Sequence, residues 1–279
     1  MFGYLYQFED KESLRAGSTP ARLLFQGDLP VRVDPRSSPL WKDGWLEVEN
    51  QANMGSCQGH ALSECLEYCH PIVTGKILPF SRVYAYIRSQ MFDGIKGDSG
   101  STLEGGTKAA KEGVCPEEFC RYPSNYPGWS YITDEMKVMA SKYRLNSYTE
   151  ITSADHMHQY IGSGVGIVQI GVSWLSSLEP DANGCIRSFS GRSVGGHSVV
   201  FCGYVPDSDV GQKSSSGVWF LMKNSWGSRW GKGGFAYVDA VAVNQMIHAK
   251  WSTFIGRSDM VAPNPRPLPV DFTKESLLG

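Results

Sequence analysis

Nowhere does this 279-residue chain carry an apolar run approaching the ~20 residues that a membrane-spanning helix requires. It also lacks a charge imbalance. Lys and Arg number 26 against 28 Asp and Glu, for a net charge of −2, and the cations are scattered. That distribution offers no footprint for nucleic acid or for an anionic membrane. The opening residues M-F-G-Y-L-Y-Q-F-E-D-K-E put acids where a secretory leader has a basic and then an apolar region. No signal peptide is read there, and the expected location is cytoplasmic or associated with a virion or host cell. No internal repeat is evident. An extensive disulfide framework is also missing from the pattern. Cys65 and Cys69 are four apart on an expected helix and Cys202 lies in an apolar strand, which reads as buried thiols, while Cys115 and Cys120 could close a short loop.

What the chain does have is enough apolar residue, at 41%, to bury a substantial core as one large domain or two small ones. From Ser56 to about His70, Ala61, Leu62, Cys65, Leu66 and Cys69 recur at helical steps. Further helices are expected over Pro79–Met91, with Ser81 as a cap, over Thr102–Glu112, over Asp134–Tyr143 and around Ala154–Tyr160. Past Tyr148, β-rich runs bounded by turns begin at Val165, Ser198, Gly217 and Gly233. Helices first and strands second give an α+β fold in two halves. The reading places an N-terminal extension at 1–28, a mainly helical half at 29–145, a β half at 146–258 and an extended Pro-rich tail at 259–279.

Four polar residues stand in distinctive contexts. Gln51 and Cys57 share the stretch Gln51-Ala-Asn-Met-Gly-Ser-Cys57-Gln-Gly-His, His197 follows Gly195-Gly196, and Asn224 opens Asn-Ser-Trp226-Gly. A thiol nucleophile needs a base, a group to orient that base and a donor for the oxyanion. Cys57, His197, Asn224 and Gln51 can fill those roles in that order. Cys57 falls at a helix start, where free amides and the helix dipole favour thiolate. Trp226 would cover the His197–Asn224 hydrogen bond and keep water from it. His60, one turn beyond Cys57, is the local rival as base and reads as a helix-packing residue.

These motifs resemble the papain-like cysteine peptidases, over roughly Leu29 to Trp251. Gln51 precedes the nucleophile by six positions, and His197 follows it by 140, within the family's window of about 130–150. Asn224 lies further on, and the polar insertion Pro206–Gly217 accounts for the excess. Asn224-Ser-Trp-Gly-Ser-Arg-Trp230-Gly231-Lys-Gly-Gly-Phe235 is the most specific piece. Met54 replaces the first Cys of the family signature, so the bridge beside the nucleophile cannot form. Gly196 before the histidine, and Gln58 after Cys57, are more similar to bacterial and viral relatives than to plant ones.

The resemblance implies a helical half and a β-barrel half meeting at a cleft, with peptide hydrolysis through an acyl-thioenzyme and no metal or cofactor. It implies peptide or protein substrates, proteinaceous inhibitors as partners, and a monomer. Asp98-Ser99-Gly100-Ser101 is similar to the loop that pairs with an extended peptide. Ile170, Gly195, Gly196, Ser198 and Trp226 would line the substrate site. An amidase or acyltransferase acting on a non-protein amide, such as a cell-wall cross-link, and an inactive peptide-binding relative are the alternatives. Residues 1–28 are too few for the family's helical pro-region. They are expected to dock outside the cleft as a permanent extension, leaving the enzyme active without maturation, the alternative being a short plug over Cys57.

Overall fold

The computed structural model describes residues 2–5, 28–41 and 48–263. Most of the 1–28 segment and the tail from residue 264 lie outside these.

Helix α1 spans Cys57–Thr74, with its whole first turn buried, and ends at Gly75 in the left-handed region that glycine adopts freely. Helix α2, Arg82–Asp93, starts where the Ser81 hydroxyl accepts from the Tyr84 amide, the cap expected from sequence. Thr102 caps α3, Leu103–Glu112, in the same way through Gly105 N–H. A short α4 covers Asp134–Ala140. These helices pack around a cluster that includes Leu62, Leu66, Tyr68, Phe80, Tyr84 and Ile87.

Strand β1, Arg144–Glu150, follows, then α5, Ala154–Gly162, and β2, Ile167–Leu175, buried along all but its last residue. A two-residue β3, Cys185–Ile186, precedes the long β4, Ser193–Pro206. One turn of helix, α6 at Asp207–Val210, occupies the polar insertion. Then come β5, Val218–Lys223, β6, Phe235–Val238, α7, Ala240–Ile247, and β7, Thr253–Val261. The strands form one seven-stranded sheet in the order β1-β7-β2-β4-β5-β6-β3. Its second core gathers Val168, Ile170, Val172, Trp174, Phe201 and Phe220.

Two details position the site. The β2–β4 register sets Val172 opposite His197 and Gly171 opposite Ser198. Helix α1 packs against β4, β2 and β7, which brings its N-terminus to the sheet. A buried ion pair, Lys223 Nζ to Glu64 Oε1 at 3.4 Å, ties β5 to α1 between the two cores.

Candidate active site

Cys57 is the first residue of α1 and has no solvent exposure. The loop before it is fixed at several points. Gln51 N–H donates to Ser225 O at 2.9 Å, the Ser225 hydroxyl donates to Gln51 Oε1 at 2.7 Å, and Gln51 Nε2 donates to Met54 O at 3.0 Å. Gly55 N–H donates to Asp98 Oδ1 at 2.8 Å. The Tyr122 hydroxyl reaches both Gln51 O, at 3.1 Å, and Ser56 Oγ, at 2.6 Å. The Gln51 amide is thereby held beside the start of α1.

His197 lies on β4, fully buried, with its Nε2 2.8 Å from Asn224 Oδ1. That oxygen also accepts from Ser225 N–H at 2.8 Å, so the amide is oriented with oxygen toward the ring and Nε2 must donate. Nδ1 is then the free acceptor, and it has no hydrogen-bond partner among the described residues. Trp226 stacks on the His197 ring at 4.5 Å, and Trp174 meets it edge-on at 4.9 Å. Both rings keep water from the Asn224 bond, which strengthens it. The pair therefore presents one basic nitrogen of defined tautomer. His60 is engaged elsewhere: its Nδ1 lies 3.0 Å from Ser56 O, and its ring packs against Tyr122.

The groove at Cys57 is filled by the chain's own Phe2–Leu5. Tyr4 forms a parallel bridge with Ser101: Ser101 N–H donates to Gly3 O at 2.9 Å and Leu5 N–H to Ser101 O at 3.1 Å. On the opposite wall Tyr4 N–H donates to Gly196 O at 3.0 Å. Gly3 threads between Gly55 and Gly100, where a Cβ on Gly3 would stand 1.9 Å from Gly55 O. The Tyr4 ring lies over Gly171, whose added Cβ would meet it at 2.4 Å, and clusters with Cys57, Leu103, Tyr148 and Ile255. Phe2 packs edge-on against His197 and Trp226 at 5.9 and 5.7 Å, over Gly195. This corrects the expected docking outside the cleft. At Phe2–Leu5 the segment is a plug, because two rings find apolar pockets here and the backbone finds unpaired strand edges.

The covered site also lacks the expected thiolate. Burial pushes the Cys57 thiol up to about 11, against opposing hydrogen bonds from the Ser198, Gly3 and Gln58 amides. Burial likewise lowers His197 to about 3, against the stabilising Asn224 bond. Both groups are neutral near pH 7, since desolvation outweighs the helix dipole here.

Gly100, Ser101, Gly195 and Gly196 touch the plug directly, as does Trp226 through its ring. Ser198 is buried, its amide near the Cys57 sulfur and its hydroxyl donating to Ile170 O at 2.7 Å. Ile170 differs from expectation: its side chain belongs to the second core, and alternation along β2 turns Gly171 toward the groove instead. Gly171, Leu103, Tyr148 and Thr253, whose Oγ1 lies 3.4 Å from the Tyr4 hydroxyl, were not anticipated. The glycine inside the β2 apolar run was the available signal, since such a glycine marks close approach of another group. Among the described residues no cluster of His, Cys, Asp or Glu could hold a metal ion.

Comparison with known proteins gives a family and a fold. The family described as papain family cysteine protease matches residues 29–253. An uncharacterized peptidase C1-like protein of Acanthamoeba polyphaga mimivirus is 29% identical over 209 residues, 68% of this chain and 63% of the relative. Fruit bromelain of Ananas comosus is 25% identical over 226 residues, 75% of this chain and 56% of the relative. The matches thus span about three-fifths of those relatives' length. Xylellain, a cysteine protease from Xylella fastidiosa, superposes with a TM-score of 0.67 at 22% identity, covering 92% of this chain and 95% of that one. At that identity the likeness is one of fold.

Proposed function

Because the chain belongs to the papain family of cysteine proteases, we propose that it is a cysteine endopeptidase, held latent by its own Phe2–Leu5. Cys57 is the nucleophile and forms the acyl-thioenzyme. His197 takes the thiol proton at Nδ1 and returns it to the leaving amine, while Asn224 holds the ring. The Gln51 amide and the Cys57 N–H donate to the oxyanion. Water then hydrolyses the thioester, with His197 again as base.

The observation that carries this reading is the strand already in the groove. Ser101 offers both a donor and an acceptor, and Gly196 offers an acceptor from the facing wall, so an extended backbone is held from two sides. Those contacts are blind to side chains and suit a polypeptide better than a small amide. With the plug displaced, solvent returns to the site and the neutral Cys57 and His197 can exchange a proton.

The test is turnover of an unfolded protein by the full chain and by its Gly3→Val variant, whose added carbons cannot pass Gly55. Cleavage at many internal peptide bonds, faster in the variant, is expected. Hydrolysis confined to a non-protein amide would favour the amidase reading. Peptide binding without turnover in either form would mean an inactive relative.

A further inference from the structure

The seven cysteines differ in what their sulfurs meet. Cys69 and Cys202 face the carbonyls of Arg257 and Leu221, at 3.7 and 3.5 Å. The Cys115 and Cys120 side chains lie beside each other, thiol facing thiol. Both are buried, at 0% and 1% exposure, yet the turn between them is at the surface, with Phe119 45% exposed.

The backbone clamps the two ends of this turn together. Phe119 N–H donates to Pro116 O at 3.1 Å and Cys120 N–H to Glu117 O at 3.2 Å, folding the intervening residues back. Ser81 then takes both cysteines: its N–H donates to Cys115 O at 2.9 Å and its hydroxyl to Cys120 O at 2.5 Å. The same Ser81 caps α2. Two residues past Cys120, Tyr122 reaches the Gln51 loop through Gln51 O and Ser56 Oγ. Arg82 joins Glu117 in the turn to Glu49 at the other end of that loop, at 3.3 and 2.7 Å.

We propose that Cys115 and Cys120 form a reversible disulfide that staples the turn carrying Tyr122, and through it the Gln51 loop. The chemistry needs one low-molecular-weight disulfide, such as glutathione disulfide. Cys120 loses its proton and attacks a glutathione sulfur, breaking the glutathione S–S bond and releasing one glutathione thiolate. The Cys115 thiolate then attacks the Cys120 sulfur of the mixed disulfide and releases the second. The two protons pass to the released thiolates, so two protein thiols are oxidised and one glutathione disulfide is reduced. Cys120 suits the first role, since the facing Cys115 thiol lowers it below an ordinary thiol while burial raises Cys65, Cys69 and Cys202. Local opening of the exposed turn admits the oxidant.

Trypsin reports directly, because Glu112–Arg121 is a single tryptic peptide holding both cysteines. The full chain, as Cys57→Ala so that the nucleophile does not compete, is equilibrated with glutathione buffers, quenched with alkylator and digested. The peptide should appear lighter by two hydrogens and unalkylated. The glutathione ratio needed should be at least about tenfold more reducing for the folded chain than for the chain unfolded in urea, where no geometry favours the ring. The oxidised folded chain should also melt higher than the reduced one, with the difference absent in Cys115→Ala. A peptide that stays doubly alkylated, that carries glutathione on each cysteine, or that closes no more readily folded than unfolded would overturn the assignment.

Discussion

Two segments close on the Cys57 thiol, and they are held by different kinds of interaction. The Gln51–Ser56 loop is fixed by named side chains: the Ser225 hydroxyl, the Asp98 carboxylate and the Tyr122 phenol each bond a particular atom of it. Phe2–Leu5 is fixed by three backbone hydrogen bonds and two rings. At about 1 kcal/mol net per bond and about 2 per buried ring, that amounts to roughly 7 kcal/mol. Ordering four residues costs about 1–2 kcal/mol each. The two sums nearly cancel, so the loop is permanent machinery and the plug is a replaceable occupant. What the machinery requires is written in side-chain identity, whereas what the plug requires is shape, chiefly Gly3.

If that contrast holds, changes to the loop side should remove chemistry and changes to the plug side should release it. The largest effect belongs to Cys57→Ala, which should abolish turnover while circular dichroism stays unchanged, since Ala suits a helix start. Next, Gln51→Ala in the Gly3→Val background should lower kcat by roughly 10²–10³ with little change in KM, the usual loss of one oxyanion donor. A change confined to KM would remove Gln51 from that role. In the same background His197→Ala should cost more than Asn224→Ala, because a poorly oriented base still reaches the thiol.

On the plug side, Gly171→Val sets carbon where the Tyr4 ring lies. A loss of about 1.4 kcal/mol of occupancy is a tenfold gain in the open fraction, so turnover of a small peptide should rise by roughly that factor. The smallest effect is on pH. His197 and His60 are both lowered by burial from 6.5 to about 3. Their contribution to stability is therefore complete above pH 6.5 and is lost as pH falls from there toward 3, because the unfolded state binds the protons first. Burial raises Glu64 and Glu67 from 4.5 to about 7, which acts with the opposite sign over the same window. The histidine share is therefore read as a difference: between pH 7 and 4.5 the urea midpoint of His60→Gln should fall less, or rise more, than that of the unsubstituted chain.

Much of the loop side was legible in the sequence, and little of the plug side. The Cys57 helix start, the Ser81 cap and the β2, β4, β5 and β6 runs follow from local periodicity and turn residues. Strands β1 and β7 do not. They pair with each other across about a hundred residues, and the polar residues Arg257 and Ser258 hide the alternation of β7. The buried Arg257 is satisfied by Gln169 and Thr107, partners visible only after folding. The same holds for Phe2-Gly3-Tyr4. Local pattern reports a glycine between two aromatics, but the pockets that receive the rings are built from Gly171, Leu103, Tyr148 and Trp226 on four distant elements.

The most direct measurement is the rate at which a thiol alkylator modifies Cys57 at pH 7 in the full chain and in Gly3→Val. Slow labelling of the full chain, comparable to its other buried cysteines, and labelling of Cys57 in the variant faster by an order of magnitude or more are the predicted results. Equal rates in both forms, fast or slow, would contradict a complete dyad masked by Phe2–Leu5.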